Sequence, residues 1–394
     1  MKRRDLLKLL APLPLALPAS RLMAAPPGSP RLLVVFLRGG YDAASLLVPV
    51  SSSYYYEART DISVPRPSTE LNSAIRLDAD WGLHPALRES VYQLFEKGEA
   101  LFIPFAGTDD ASRSHFETQD SIELGQPSGS TRDYRSGFLN RLAAVLNGPQ
   151  AIGFTDQLPL ILQGRVQVPN SALRSTAKPS VDPRQSAIIT AMYRGSALAP
   201  QVAEGFSVRD EVARQMAIEM DSASRSATTA KGFELEARRI ARLMKEHYSL
   251  GFVDVGGWDT HVNQGGSSGY LASRFEELGR GLSAFAQEMA GGWRDTTVVV
   301  ISEFGRTFRQ NGNRGTDHGH GTVFWVLGGS VRGGRVAGEQ IRIEQPTLFQ
   351  NRDYPVLNEY RAVLAGLFER LYGLAPRQTE QVFAGVKARD IGLV

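Results

Sequence analysis

Leu32-Leu-Val-Val-Phe-Leu37, running straight into Arg38-Gly-Gly-Tyr-Asp42, decides how the rest of the chain is read. Six apolar residues without alternation make a strand buried on both faces, and the glycine pair behind it makes a turn that ends in an acid. Residues 101–105, 158–162, 252–255, 297–301 and 323–327 are further strand-length apolar runs, most of them followed by Gly. Between them lie helical patterns. Over 269–290, Leu271, Phe275, Leu278, Leu282, Phe285 and Met289 recur every three or four positions, and over 232–248 so do Phe233, Ala237, Ile240, Met244 and Tyr248. Each set is one apolar stripe on a helix that packs against a sheet. A last helix spans 358–371, with Tyr360, Val363, Leu364, Leu367 and Leu371. Strands alternating with helices predict an α/β fold, its central, largely parallel sheet lying between helices. Two stretches, 126–136 and 164–204, are turn-rich or rich in Pro and read as loops. Residues 206–248 read as two consecutive helices with no strand between them. They form a small helical insertion in a single domain covering 30–394.

The chain has 394 residues, no Cys, 22% charged and 42% hydrophobic residues, which is the composition of an ordinary globular protein. Absence of Cys excludes thiol catalysis, iron–sulfur clusters and Cys-ligated zinc, so the chemistry rests on oxygen and imidazole groups. The formal charge is +3, but Lys2, Arg3, Arg4, Lys8 and Arg21 against Asp5 place +4 in the first 24 residues, leaving the remainder at −1. A body of that charge argues against nucleic-acid binding. Residues 1–25 have the layout of an export signal: a basic start with paired arginines, an apolar stretch over 9–19, and the small residues Ala24 and Ala25. The pair resembles a twin-arginine signal, which implies the twin-arginine translocase as a partner during export and a periplasmic or secreted protein. Pro12, Pro14 and Pro18 interrupt the apolar stretch, and no later one is long enough to span a bilayer, so no stable membrane span is expected.

Six His occur: His84, His115, His247, His261, His318 and His320. Three fall in short turn-rich motifs just after strands, where open α/β sheets place their sites. Val255-Gly-Gly-Trp-Asp-Thr-His261 offers Asp259 and His261 to a cation, or an Asp that caps a turn with a His merely nearby. Ser302-Glu-Phe-Gly-Arg306 places Glu303 where it can bind metal and Arg306 where it can hold an anion, or the two form a local ion pair. Thr316-Asp-His-Gly-His-Gly321 is the densest: Asp317, His318 and His320 fall within four positions, with glycines that let the backbone fold tightly around a small centre. Asp42 sits where the first strand presents a ligand to the same edge, unless it is a helix N-cap. Ser114 and Glu117 in Ser112-Arg-Ser-His-Phe-Glu117 match the S-x-x-E capping box, and a hydroxyl at a helix N-terminus beside a metal is also a candidate nucleophile. His115 is a ligand, a proton donor or a support. His84 and His247 read as structural.

Taken together, Arg38-Gly-Gly-Tyr-Asp42, Arg113-Ser-His-Phe-Glu117, Gly256-Gly-Trp-Asp-Thr-His261, Ser302-Glu-Phe-Gly-Arg-Thr307 and Gly315-Thr-Asp-His-Gly-His-Gly321 resemble the domain-of-unknown-function 1501 family. Gly328-Gly, Arg332-Gly-Gly-Arg335 and Tyr360-Arg361 match it too, and the resemblance runs from about residue 30 to the end. That family is grouped with the alkaline phosphatase and sulfatase superfamily. The resemblance implies an alkaline phosphatase/sulfatase-like fold with a metal-dependent site at the carboxyl ends of its strands. Carried over, the pattern makes Ser114 the nucleophile, with His115 and Arg306 also catalytic. One or two divalent ions, zinc before manganese, would be held by Asp42, Asp259, His261, Glu303, Asp317, His318 and His320. Arg38 and Arg113 would bind the substrate anion. The chain departs from the superfamily at Glu303-Phe304, where an Asp-His pair is usual, and at Ala43 and Ser45, where the family has Gly and Asn. The expectation is an exported metal-dependent hydrolase of phosphate or sulfate esters, acting on a small-molecule or glycan ester. The alternative is a secreted metal-binding or scaffold protein that keeps the fold without the reaction.

Overall fold

The structure is a computed structural model that describes residues 29–127, 129–147, 150–173, 183–208 and 232–394. The export signal at 1–25 and most of the first helix expected within 206–248 lie outside the described residues.

Among the described residues, eleven strands are numbered in chain order: β1 Arg31–Leu37, β2 Leu47–Pro49, β3 Ile75–Arg76, β4 Trp81–Leu83, β5 Ala100–Gly107, β6 Ala151–Gly153, β7 Leu250–Val255, β8 Thr296–Ser302, β9 Thr322–Gly328, β10 Arg335–Val336 and β11 Asn358–Glu359. The central sheet has the order β10-β5-β9-β8-β1-β7-β6, with β11 also pairing β5; β2, β4 and β3 form a small antiparallel sheet beside it. β1 is parallel to both β7 and β8, whereas β9 is antiparallel to β8 and β5.

β1 is buried along its whole length because its alternate residues face two different cores. Leu33, Val35 and Leu37 pack toward the helices Phe233–Glu246 and Tyr270–Met289; Leu32, Val34 and Phe36 pack toward Phe138–Val145 and Tyr360–Tyr372. The result is a three-layer arrangement of helix, sheet and helix. Both stripes read from the sequence are buried, from Phe233 to Tyr248 and from Leu271 to Met289. Among the described residues, no helix is long and apolar enough to cross a membrane.

Two expectations fail locally. Residues 158–162 are not a strand; Leu160–Leu162 is a 3-10 turn. Pro159 has no N–H to give a ladder, and the Ile161 N–H donates to Glu123 Oε2 at 3.1 Å instead. The place beside β7 goes to β6, whose Ala151 pairs Leu250. Nor is 164–204 all loop, since a helix runs Pro183–Met192 and residues 199–208 are helical. Proline is tolerated in the first turn of a helix, where its missing N–H would have had no partner.

Candidate metal centre

Five loops meet at one edge of the sheet. Those following β1, β5, β7 and β8 arrive because these strands run the same way. The Asp317–Gly321 loop precedes β9 rather than following a strand, and it reaches the same edge because β9 runs antiparallel.

Each loop is anchored by its own sequence. Trp258 is buried between Tyr41 and Phe275 and donates from Nε1 to the Val255 carbonyl at 2.9 Å, which pins the turn that carries Asp259 and His261. Gly39 has φ +122°, and a Cβ there would lie 2.7 Å from the Asp259 N, so only glycine lets the first loop press against this turn. The loops after β8 and before β9 pair as a short ribbon: Arg306 bridges His318, and Gly305 N–H donates to the His320 carbonyl at 3.0 Å. His115 opens the helix His115–Leu124, with Ser114 as its N-cap.

His115, Asp259 and His318 bring one ligand atom each within 4.8 Å of one another, a candidate His/Asp/His metal site. His261 Nε2 joins them at 2.9 Å from Asp259 Oδ1 and 3.2 Å from His318 Nε2. His115 Nε2 is buried and makes no hydrogen bond; its nearest acid oxygen, Asp259 Oδ2, is 3.5 Å away. A buried nitrogen without a hydrogen bond, and two imidazole nitrogens facing each other, are what a shared cation would resolve. These residues fit a metal ion.

Behind each of the four stands a partner that turns it inward. Glu303 Oε1 accepts from His115 Nδ1 at 2.8 Å, and also from Gln119 Nε2 and the Gly39 N–H. An ionised carboxylate only accepts, so the His115 proton sits on Nδ1 and Nε2 faces the centre. His318 Nδ1 donates to the Arg113 carbonyl at 2.9 Å, and His261 Nδ1 lies 3.2 Å from Asp317 Oδ1. Arg306, its side chain fully buried, donates to Asp259 Oδ1 at 2.7 Å.

Burial works to raise the Glu303 carboxyl, but the bonds from His115, Gln119 and Gly39 hold it below its ordinary value. The Asp259 carboxyl is likewise lowered: burial opposes, and Arg306 with the two nearby His prevails. Hydrogen bonding to Glu303 raises His115, whereas burial lowers His318.

Other residues singled out in the sequence stand apart. Asp42 is buried and spent on Arg59, which donates to both its oxygens at 2.6 and 2.9 Å; Ser45 and Gln264 donate as well. His320 is buried beside the Phe349 ring, 4.8 Å between centroids, away from the ligand group. Arg38 is held by Asp254, Glu123 and Gln119, and Arg113 by Asp353 and Gln350. Both guanidiniums are thus paired with carboxylates while keeping part of their surface exposed. The capping box at Ser114 does not form. Its side chain makes no cap bond, and Glu117 pairs Arg132 at 2.6 Å. Phe304 is buried with its ring 4.9 Å from His115 and 5.2 Å from His318.

Sequence reasoning missed Arg59, Gln119, Gln264 and Asp353. None lies in a motif, and each acts on a residue distant in the chain. Gln119 alone left a trace, four residues after His115 on the same helical face, from which both donate to Glu303.

Fold and site together define an α/β protein with a candidate His–Asp metal centre on one edge of its sheet. A family model described as "Protein of unknown function (DUF1501)" matches residues 29–384, and the chain belongs to that family. No curated protein matches the sequence. Among solved structures, Ps i-CgsB in complex with k-i-k-neocarrahexaose is similar over 89% of this chain and 74% of its own, at 9% identity and TM-score 0.36. A protein in the alkaline phosphatase superfamily from Vibrio parahaemolyticus aligns over 85% and 71%, at 12% and 0.36. The C-terminal periplasmic domain of EcEptC from Escherichia coli, in complex with Zn, aligns over 76% and 73%, at 10% and 0.30.

Proposed function

We propose that this protein is an exported metal-dependent hydrolase of phosphate or sulfate esters. The observation that carries the reading is the convergence of His115, His261, His318 and Asp259, each turned inward by a partner of its own. Nitrogen and carboxylate donors without thiolate suit zinc first and manganese second. When bound there, the ion would act as a Lewis acid toward the ester oxygens and lower the pKa of a hydroxyl beside it. Export is supported by the paired arginines and apolar stretch of residues 1–25.

Ser114 supplies the nucleophile in this reading. Nothing in its own helix consumes its hydroxyl. It lies between His115, a member of the ligand group, and Arg113, whose carbonyl holds His318. The amino end of a ten-residue helix favours negative charge at that place. Ser114 Oγ attacks phosphorus or sulfur in line, the alcohol departs, and water cleaves the seryl ester. Arg306 keeps Asp259 ionised and oriented rather than meeting the substrate.

One observation favours a second reading, a secreted metal-binding or scaffold protein: Arg38, Arg113 and Arg306 are all engaged with internal carboxylates. A panel of aryl phosphates and sulfates separates the two. Metal-loaded wild type should turn over at least one ester, and Ser114→Ala should abolish that turnover with its metal content unchanged. Full activity in the variant removes Ser114 from the reaction; bound metal with no turnover anywhere in the panel favours the scaffold.

A further inference from the structure

We infer that this chain is built to hold one divalent ion, with the Arg59 guanidinium as a permanent internal cation at Asp42, the acid that would otherwise serve a second. The inference rests on the metal-centre reading above and fixes its stoichiometry.

Asp42 is heavily engaged, with three donors on Oδ2 and one on Oδ1. A carboxylate offers about four acceptor directions. Here Oδ2 accepts from Arg59 Nη1 at 2.6 Å, Ser45 Oγ at 2.7 Å and Gln264 Nε2 at 2.6 Å, and Oδ1 accepts from Arg59 Nη2 at 2.9 Å. The guanidinium is equally committed. Arg59 Nε donates to the Phe308 carbonyl at 2.7 Å and Nη2 to the Thr307 carbonyl at 3.1 Å, and the side chain is fully buried between the Tyr55 and Phe308 rings. A metal ion at Asp42 would have to displace a bidentate pair and then sit against a cation with nowhere to go.

The pair is also walled off from the centre. Gln264 Oε1 accepts from Thr260 Oγ1 at 3.1 Å and Thr316 Oγ1 at 2.9 Å, and Arg306 Nε donates to Thr316 Oγ1 at 3.2 Å before its Nη1 reaches Asp259. This buried chain of side chains separates Asp42 from Asp259 and occupies the space between them. On the centre's side, Asp259, Glu303 and Asp317 stand against Arg306, leaving two negative charges when the His rings are neutral. One divalent ion cancels them; a second would leave the site as positive as it had been negative.

Native mass spectrometry of the wild-type chain, saturated with Zn²⁺ and desalted, reads the number of ions directly. One ion per chain is the expected result. The paired variant Asp42→Asn with Arg59→Gln, confirmed folded by circular dichroism, should still carry that ion, because neither side chain touches it. Two ions on the wild type, or loss of the ion from the folded paired variant, overturns the inference and leaves the proposed reaction standing. No ion on the wild type overturns both.

Discussion

His84 shows how a residue left as structural by its sequence acquires a measurable property. It is fully buried, its Nδ1 accepts from the Ala86 N–H at 3.2 Å, and its Nε2 donates to the Gly266 carbonyl at 3.0 Å. A proton on Nδ1 would confront that N–H. Burial accordingly lowers the ring from 6.5 to about 4. Above pH 6.5 both folded and unfolded chains carry a neutral ring. Between 6.5 and 4 the unfolded chain takes up a proton that the folded chain refuses, so stability falls as the pH falls. The full loss is about 3 kcal/mol. Urea unfolding at pH 7.5 and 4.5, compared with His84→Asn, should show the stability gap between the two proteins narrowing at the lower pH; a constant gap would mean an ordinary ring. Asp42 makes the complementary point. Its place after the first strand was readable, but Arg59 and Gln264, which decide what it does, lie 17 and 222 residues away.

At the scale of elements, the strand runs and both long helical stripes were legible because burial on a sheet or along a helix writes a period into the sequence. The 158–162 run deceived because apolar residues packed under a helix give the same signal as a strand. The glycines of the Asp317–Gly321 loop let its backbone turn tightly, and the ribbon shows why that room is needed. A Cβ on Gly319 would lie 2.5 Å from the Arg306 carbonyl. Gly319→Ala should therefore force the two loops apart, costing about 1–3 kcal/mol by overpacking and weakening Zn²⁺ binding at least tenfold. Gly312→Ala, where a Cβ meets nothing within 4 Å, is the matched control and should change neither. Calorimetric unfolding and Zn²⁺ titration of both variants decide the matter, and equal behaviour would remove the ribbon from any part in the centre.

For the whole molecule, the centre is a junction of loops from β1, β5, β7, β8 and β9, so an ion bound there ties the sheet's edge together. Zn²⁺ at a hundredfold excess over its Kd should stabilise the fold by about 2.7 kcal/mol, read as a rise of several degrees in Tm that a chelator reverses; an unchanged Tm would mean no ion binds the native state. What the sequence determined by itself was the α/β class, because periodicity is a local property; its short motifs proposed as ligands Asp259, His261 and His318, which the fold turns toward one another with His115. The sequence also placed Asp42, Glu303, Asp317 and His320 as ligands beside them. Only the tertiary structure separated these: Glu303 and Asp317 back two histidines, Asp42 answers a buried arginine, and His320 packs on Phe349. The physical reason is competition for lone pairs. Whether a carboxylate is free to bind a metal depends on which donors the fold brings to it, and here several come from far along the chain, Gln264 lying 222 residues from Asp42 and His115 188 from Glu303.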